Sequence, residues 1–224
     1  MSNSSLVKYT KISPNRTKNR NHKIDTITIH CVVGQLSVET LGDIFSKKSK
    51  KASCNYGIGK DGRIGMYVEE KDRSWCSSNA ANDHRAITIE CASYTKHPYA
   101  INNKVYKSLV KLCTDICKRN NIKELKWKGD NKLIGKIDQQ NMTVHRWFAN
   151  KSCPGDYIYN RLGQIADEVN ANLKPATKSV DEIAKEVING LWGNGAEREM
   201  RLTEAGYDYS IIQKRVNEII EKGK

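Results

Sequence analysis

Between Thr143 and Gly155 the chain reads T-V-H-R-W-F-A-N-K-S-C-P-G, which sets His145 eight residues before Cys153 and Lys151 two short of that cysteine. Imidazole and thiolate are both good zinc ligands, and a loop of this length can turn both side chains onto one ion. Two ligands do not hold a catalytic zinc, which takes three protein donors and keeps a fourth position open. A third donor is therefore expected at the end of a rigid element, and His30 is the best candidate. It closes T-I-T-I-H, Thr26 to His30, an alternation that reads as a half-buried strand with Thr26, Thr28 and His30 on its polar side. A second run, A-I-T-I-E-C from Ala86 to Cys91, repeats that phase. If the two strands are neighbours, Glu90 emerges beside His30, where a carboxylate can act as general base next to a metal. Taken singly, the histidine also fits a hydrogen-bonded structural role, and the glutamate a salt-bridged surface one.

Such residues need a scaffold, and 224 residues suffice for one well-buried domain and a small second one. No apolar run reaches membrane-spanning length, so no membrane span is expected, and the basic, polar N-terminus lacks the apolar core of a secretory signal. Seven cysteines, an odd number in a chain of this size, point to reduced thiols and a metal rather than a disulfide framework. The net charge of +13 is uneven: from Ser179 onward there are seven Lys/Arg against nine Asp/Glu, leaving 31 against 16 before it. A strongly basic main part favours polyanionic partners, such as nucleic acid or an anionic cell-wall polymer, though a solvated basic face without a partner has the same composition.

Residues 1 to about 23 read as a loosely attached arm. Ser37 caps a short helix carrying Leu41, Ile44 and Phe45, which the lysine run Lys47 to Lys51 ends, and Asp61-Gly62 marks a hairpin. Gly57 and Gly59 lack the following helix and lysine of a phosphate loop. Trp75 to His84 reads as a polar loop of the kind that lines a substrate groove. An amphipathic helix is expected from Asn103 to about Asn120, with Cys113 and Cys117 as small core residues; a long loop spans Ile122 to Asn141; and Asp156 caps a further helix that stops at Pro175. Residues 175–178 form a linker. Beyond it Ser179-Val-Asp-Glu182 is a capping box leading a stripe of Ile183, Ala184, Val187, Ile188 and Leu191. A second helix is expected from about Ala196 to Ala205 with Gly206 as its stop, and a third carries Ile212, Val216 and Ile219.

The three segments T-I-T-I-H, A-I-T-I-E and T-V-H-R-W-F-A-N-K-S-C-P-G together resemble the zinc-dependent N-acetylmuramoyl-L-alanine amidases of type 2, a group that includes bacteriophage endolysins and is similar to the peptidoglycan recognition proteins. The resemblance covers about residues 24 to 173. It implies an α/β fold with a central mixed sheet flanked by helices, Zn2+ on His30, His145 and Cys153, and Glu90 with Lys151 as the catalytic pair. Asn55, Tyr56 and Trp75 are candidate substrate contacts. Some relatives place a tyrosine near the metal where Cys54 stands here, and Tyr56, two residues on and so expected on the same strand face, is a partial substitute. Residues 179 to about 220 resemble the helical cell-wall-binding repeat at the C-terminus of certain pneumococcal phage lysozymes, with Trp192 and Arg198 as the side chains to test for ligand contact, each of which also fits bundle packing.

These readings predict an amidase domain over 1–174, the linker 175–178 and a three-helix wall-binding repeat over 179–224. They imply a lysin that acts on bacterial peptidoglycan, waits in the host cytoplasm without a signal peptide until lysis, and is a monomer or weak homo-oligomer. A host autolysin, a non-catalytic peptidoglycan receptor of the same fold and a nucleic-acid-binding protein are the rivals. The receptor is disfavoured because all three ligands are present; nucleic acid is not expected as a partner because no basic stripe interleaves with aromatics and no recognition motif appears.

Overall fold

The computed structural model describes residues 2–174 and 178–222. Two compact units emerge, 1–173 and 174–224. Most of the linker expected at 175–178, and the Pro175 stop, lie outside the described residues.

In the larger unit the chain forms, in order, β1 (Val7–Thr10), β2 (Arg16–Thr17), β3 (Thr26–Cys31), α1 (Val38–Phe45), β4 (Tyr56–Ile58), β5 (Ile64–Met66), β6 (Arg73–Ser74), α2 (Ala80–Arg85), β7 (Ala86–Cys91), α3 (Asn103–Arg119), β8 (Met142–Val144), α4 (Asp156–Tyr159) and α5 (Leu162–Leu173). Six strands make one mixed sheet, in the order β1-β5-β4-β7-β3-β8. All its pairings are parallel except the β4–β5 hairpin, which turns at Gly62 with φ +85°. The isoleucines of the two alternating strands, Ile27, Ile29, Ile87 and Ile89, are fully buried in one cluster with Leu109, Leu112 and Ile116 of α3 and Leu162, Ile165 and Val169 of α5. Each such side chain contributes roughly 1.5–3 kcal/mol by leaving water, so this layer holds the sheet rigid.

The opposite face is buried too, where the alternation had suggested solvent. Its threonines are satisfied inside: Thr28 Oγ1 and Thr143 Oγ1 lie 2.7 Å apart, and both bond the Asn82 amide, from α2, at 3.0 and 2.9 Å. Thr88 Oγ1 meets Ser74 Oγ at 2.7 Å, and its N–H donates to Asn55 Oδ1. Polar alternation here marks an interior layer in which Thr28, Thr88 and Thr143 are hydrogen-bonded, which burial permits because each of these hydroxyls finds a partner.

Four further expectations need correction. The N-terminal arm is built into the fold: β1 pairs with β5, and Arg20 is buried with its guanidinium donating to the carbonyls of Glu70, Asp72, Asp83, His84 and Ala86. Within the polar stretch from Trp75 to His84, Asn79 accepts from the Asn82 N–H and caps α2. Asp156 is not the cap of one long helix; it begins the short α4, and its carboxylate is taken by Arg146 and His97. Tyr56 does not share the face of Cys54. The strand starts at Tyr56, whose ring joins the isoleucine cluster while Cys54 packs with Leu41, Phe45 and Tyr67.

In the smaller unit α6 (Val180–Ile188) begins on a complete capping box, with Ser179 Oγ accepting from the Glu182 N–H and the Glu182 carboxylate accepting from the Ser179 N–H. α7 (Gly195–Glu204) ends at Gly206, where φ is +84° and the Tyr207 N–H reaches back to the Leu202 carbonyl. α8 (Tyr209–Lys222) completes three helices around a small core of Ile183, Ala184, Val187, Leu202, Ile212 and Val216. Ile188 and Leu191, expected on the buried stripe, are 43% and 63% exposed, because α6 ends at Ile188 and the chain turns away through Gly190. No helix of the described residues is long and apolar enough to cross a membrane.

Candidate metal and catalytic site

The C-terminal ends of β3 and β7 and the loop after β8 converge on one spot. β3 and β7 pair in parallel with His30 opposite Glu90, so their repeated phase places both side chains on the same face. β8 pairs with the other edge of β3, Ile29 opposite Val144, and thereby delivers His145 beside His30. The two imidazoles lie with centroids 5.1 Å apart at 62°. The loop then folds back on itself, the Arg146 N–H donating to the Cys153 carbonyl, and Cys153 Sγ comes to 3.4 Å from His30 Nδ1.

One donor atom each of His30, His145 and Cys153 thus lies within 4.8 Å of the others. Burial lowers the His30 pKa to about 3, with the His145 charge adding to the effect, and burial likewise lowers that of His145. Both rings are therefore neutral in the physiological range and have a lone pair to give. The Cys153 thiol is pushed well up by its hydrogen bond with Cys31, then by burial and by Glu90. His30 Nε2 is a buried nitrogen with no hydrogen-bond partner among the described residues. Two neutral imidazoles and a sulfur suit a borderline cation of the zinc type, so these residues fit the group expected of them.

Glu90 keeps some exposure along its side chain, but its Oε2 is shut off from solvent with no partner among the described residues, and burial raises its pKa to about 8. A carboxyl so placed exchanges protons near neutrality. Lys151 is exposed on the loop, and its charge is among those that act on His145. A cavity of about 410 Å³ is lined by Lys51, Arg73, Trp75, Cys76, Ser78 and His145, which places Trp75 beside the donor group. A larger hollow, about 870 Å³, opens by Trp127 and Asn170 and is lined by none of the donors.

Asn55 and Tyr56 do not face this cavity. Both are fully buried, the Asn55 amide engaged with Val68 and Thr88 and the Tyr56 hydroxyl donating to Glu70 at 2.6 Å, so both are withdrawn as substrate contacts. In the smaller unit Trp192 donates from Nε1 to Glu186 and stacks edge-on against Tyr207, and Arg198 donates to Gly193, Asn194 and Gln213; each keeps part of its surface exposed. Two residues near the site had not been singled out. Ser78 Oγ lies 3.0 Å from His145 Nε2 and orients that ring, and Asp83 accepts from the Cys76 and Ser77 N–H groups, fixing the loop that carries Ser78. The Asn79 cap ahead of Asp83 was the available signal.

Against known proteins, residues 20–156 match the N-acetylmuramoyl-L-alanine amidase family and residues 181–220 match the CW_7 repeat. A lysozyme of Streptococcus phage Cp-7 is 43% identical over 74 residues, 33% of this chain; the chain spans about a fifth of that relative's length. Similar folds include an AmpD derivative (16% identity, 73% of this chain and 96% of that one, TM-score 0.54). A mutant endolysin from Bacillus subtilis (15%, 72% and 97%, 0.51) and the endolysin amidase LysCS from Clostridium intestinale URNW (16%, 75% and 99%, 0.50) are further examples.

Proposed function

Because the chain belongs to the N-acetylmuramoyl-L-alanine amidase family, matched over residues 20–156, and carries a CW_7 repeat, we propose that it is an endolysin-like peptidoglycan hydrolase. The bond cleaved is the amide between N-acetylmuramic acid and the first L-alanine of the stem peptide. The observation that carries this reading is the convergence of His30, His145 and Cys153 within 4.8 Å, with Glu90 in register opposite His30. A zinc ion held by these three donors would supply Lewis acidity toward the carbonyl and an acidified water.

The chain's own residues do the rest. Glu90 takes the proton from the attacking water and hands it to the leaving amine; beside a bound cation its carboxylate is the favoured form, against the burial that otherwise raises its pKa to about 8. Lys151 brings positive charge to the oxygen that becomes anionic when the amide carbonyl is attacked. Ser78 keeps the His145 ring in place. Trp75, with Lys51 and Arg73, forms the wall against which substrate rests.

The helical unit of 179–224 attaches the enzyme to the wall, with Trp192 and Arg198 as its candidate contacts, and the protein waits in the host cytoplasm until lysis. A monomer or weak homo-oligomer suffices, since a single repeat gains avidity only by self-association. The test is zinc content by elemental analysis together with release of new amino groups from purified cell walls. Close to one zinc per chain and a rise in amino groups are expected; full hydrolysis by metal-stripped protein would overturn the assignment.

A further inference from the structure

The helix layer of the larger unit carries a run of hollows that the reaction above leaves unused. One of about 470 Å³ lies along α3, with Lys107, Lys111 and Lys118 on its wall and the apolar Leu6 and Val110 between them. A second, about 230 Å³, shares Lys118 with the first and continues past the end of that helix. A third, about 480 Å³, shares Asn121, Ile122 and Lys123 with the second and reaches Lys23. Shared walls make the three one trench. On α3 its lysines are spaced so that they fall within about 40° of one another around the helix axis, and they form one row. The carboxylates along the trench are committed to other cations: Asp115 to Arg119 at 2.8 Å, Asp25 to Arg85 at 2.8 Å and Glu124 to Lys126 at 3.5 Å. Lys23, Lys107, Lys111, Lys118 and Lys123 are therefore exposed cations without a carboxylate partner among the described residues. Asp25 stands just ahead of β3, whereas His30 stands five residues further on, about 16 Å away at the rise of a strand. The trench and the donor group thus lie at opposite ends of that strand.

We propose that this trench holds a linear phosphodiester polymer without bases, the polyol-phosphate chain of a bacterial cell wall. A row of unpaired ammonium groups matches a repeating monoanion and gains by releasing its counterions. Lysine is a point charge on a flexible stem, so it asks no fixed orientation of the phosphate, which suits a chain that bends freely. Leu6 and Val110 offer apolar surface to the carbon backbone between the phosphates. No aromatic side chain lines any of the three hollows among the described residues, so bases would find no platform to stack on, and nucleic acid is disfavoured. A concave trench also fits a chain better than a planar lipid surface. Bound there, the polymer leaves the donor group free, and the larger unit gains an attachment of its own beside that of the repeat. The choice of a wall polymer rests on the hydrolase reading; binding of a base-free phosphodiester chain does not.

The experiment uses the full chain loaded with zinc and soluble poly(glycerol phosphate) labelled at one end, with binding followed by fluorescence anisotropy over a range of sodium chloride. One variant combines Lys107→Gln, Lys111→Gln and Lys118→Gln. A second combines Lys60→Gln, Lys96→Gln and Lys132→Gln, exposed lysines that line none of the three hollows, and so has the same net charge. The trench variant is expected to bind about tenfold or more weakly than wild type with a shallower salt dependence, while the second stays within about threefold. Arginine at the same three trench positions should restore binding, which separates lost charge from lost folding. Equal losses in the two glutamine variants would reduce the effect to net charge and overturn the trench. Tighter binding of a labelled thymidine homopolymer of equal phosphate number would overturn the occupant, as would binding to phosphatidylglycerol vesicles but not to the polymer. If polymer binding follows the trench while purified walls release no amino groups, the trench stands and the hydrolase reading fails.

Discussion

The two units hold the side chains proposed to do their work by opposite means. In the larger one, His30 meets Cys153 across 123 residues, Thr28 meets Thr143 across 115, and the donors are assembled only when β3, β7 and β8 lie side by side. In the smaller one, Trp192 is held by Glu186 six residues away and Arg198 by Gly193, Asn194 and Gln213, none more than 15 away. Distant assembly allows water to be excluded and atoms such as Glu90 Oε2 to stand without a partner among the described residues, as the proposed reactive centre requires; local assembly leaves Trp192 and Arg198 partly exposed, as the proposed attachment requires. The first arrangement suits chemistry and the second suits adhesion.

The sharpest break between them is at Cys153. Cys153→Ser replaces a thiol, ionisable next to a metal, by an alcohol that is not, so zinc affinity should drop and amino-group release should fall about a thousandfold or more, the scale of several kcal/mol of charge stabilisation. Sedimentation with purified walls should be unchanged, since the repeat does not depend on that metal; loss of both activities together would erase the division of labour. Glu90→Gln comes next. It should retain zinc and lose roughly 10²–10⁴-fold in turnover, the usual range for general acid–base catalysis. Its stability effect has a definite sign in metal-free protein. Glu90 has a folded pKa raised from 4.5 to about 8, so the folded state binds the extra proton between those values. Stability is fully present below the lower value and is lost as pH rises through the upper one. Metal-free Glu90→Gln should therefore melt above wild type at pH 9 and lose that advantage at pH 4; the same difference at both pH values would remove Glu90 as the cause.

How much of this the sequence carries follows the same contrast. The capping box at Ser179, the Gly206 stop and the three helices of the smaller unit were readable because each is written within a few neighbouring residues. The register of His30 with Glu90 was readable too, because both strands repeat one two-residue phase. What alternation cannot specify is what covers the polar face: Asn82 bridging Thr28 and Thr143 is a tertiary fact, and burial of that face turned an expected surface into an interior. Arg20 gave no sign among other basic residues that it would gather five carbonyls. Tyr56 was misplaced because the two-residue rule holds only inside a strand, and β4 starts at Tyr56, after Cys54.

Core truncations test whether the units also differ in what they can lose. Ile89 is fully buried in the large cluster, and Ile89→Ala should cost about 2–5 kcal/mol. The larger core spreads that loss, so the folded unit persists with a lowered melting temperature. Leu202→Ala removes one of the six buried core residues described in the small bundle at a similar cost, and a core that small has little stability in reserve. The bundle is expected to unfold alone: helical signal and wall sedimentation fall while hydrolysis of a soluble muramoyl peptide continues. A single cooperative transition affected equally by both substitutions would show that the units are not independent.

The smallest effect separates a local signal from a distant one. Ser179 Oγ accepts from the Glu182 N–H at 3.2 Å, and the Glu182 carboxylate returns the bond to the Ser179 N–H at 2.8 Å. Ser179→Ala removes one of these two bonds and should cost about 1 kcal/mol. Because α6 supplies Ile183, Ala184 and Val187 to the small core, the loss should appear as a lower melting temperature of that unit, with Glu182→Gln, which keeps an acceptor at the same position, milder. Zinc content and turnover should not move. If they did, a helix start more than 20 residues past Cys153 would be acting on the metal group, and the separation between a wall anchor built from neighbours and a reactive centre built from distant strands would have to be given up.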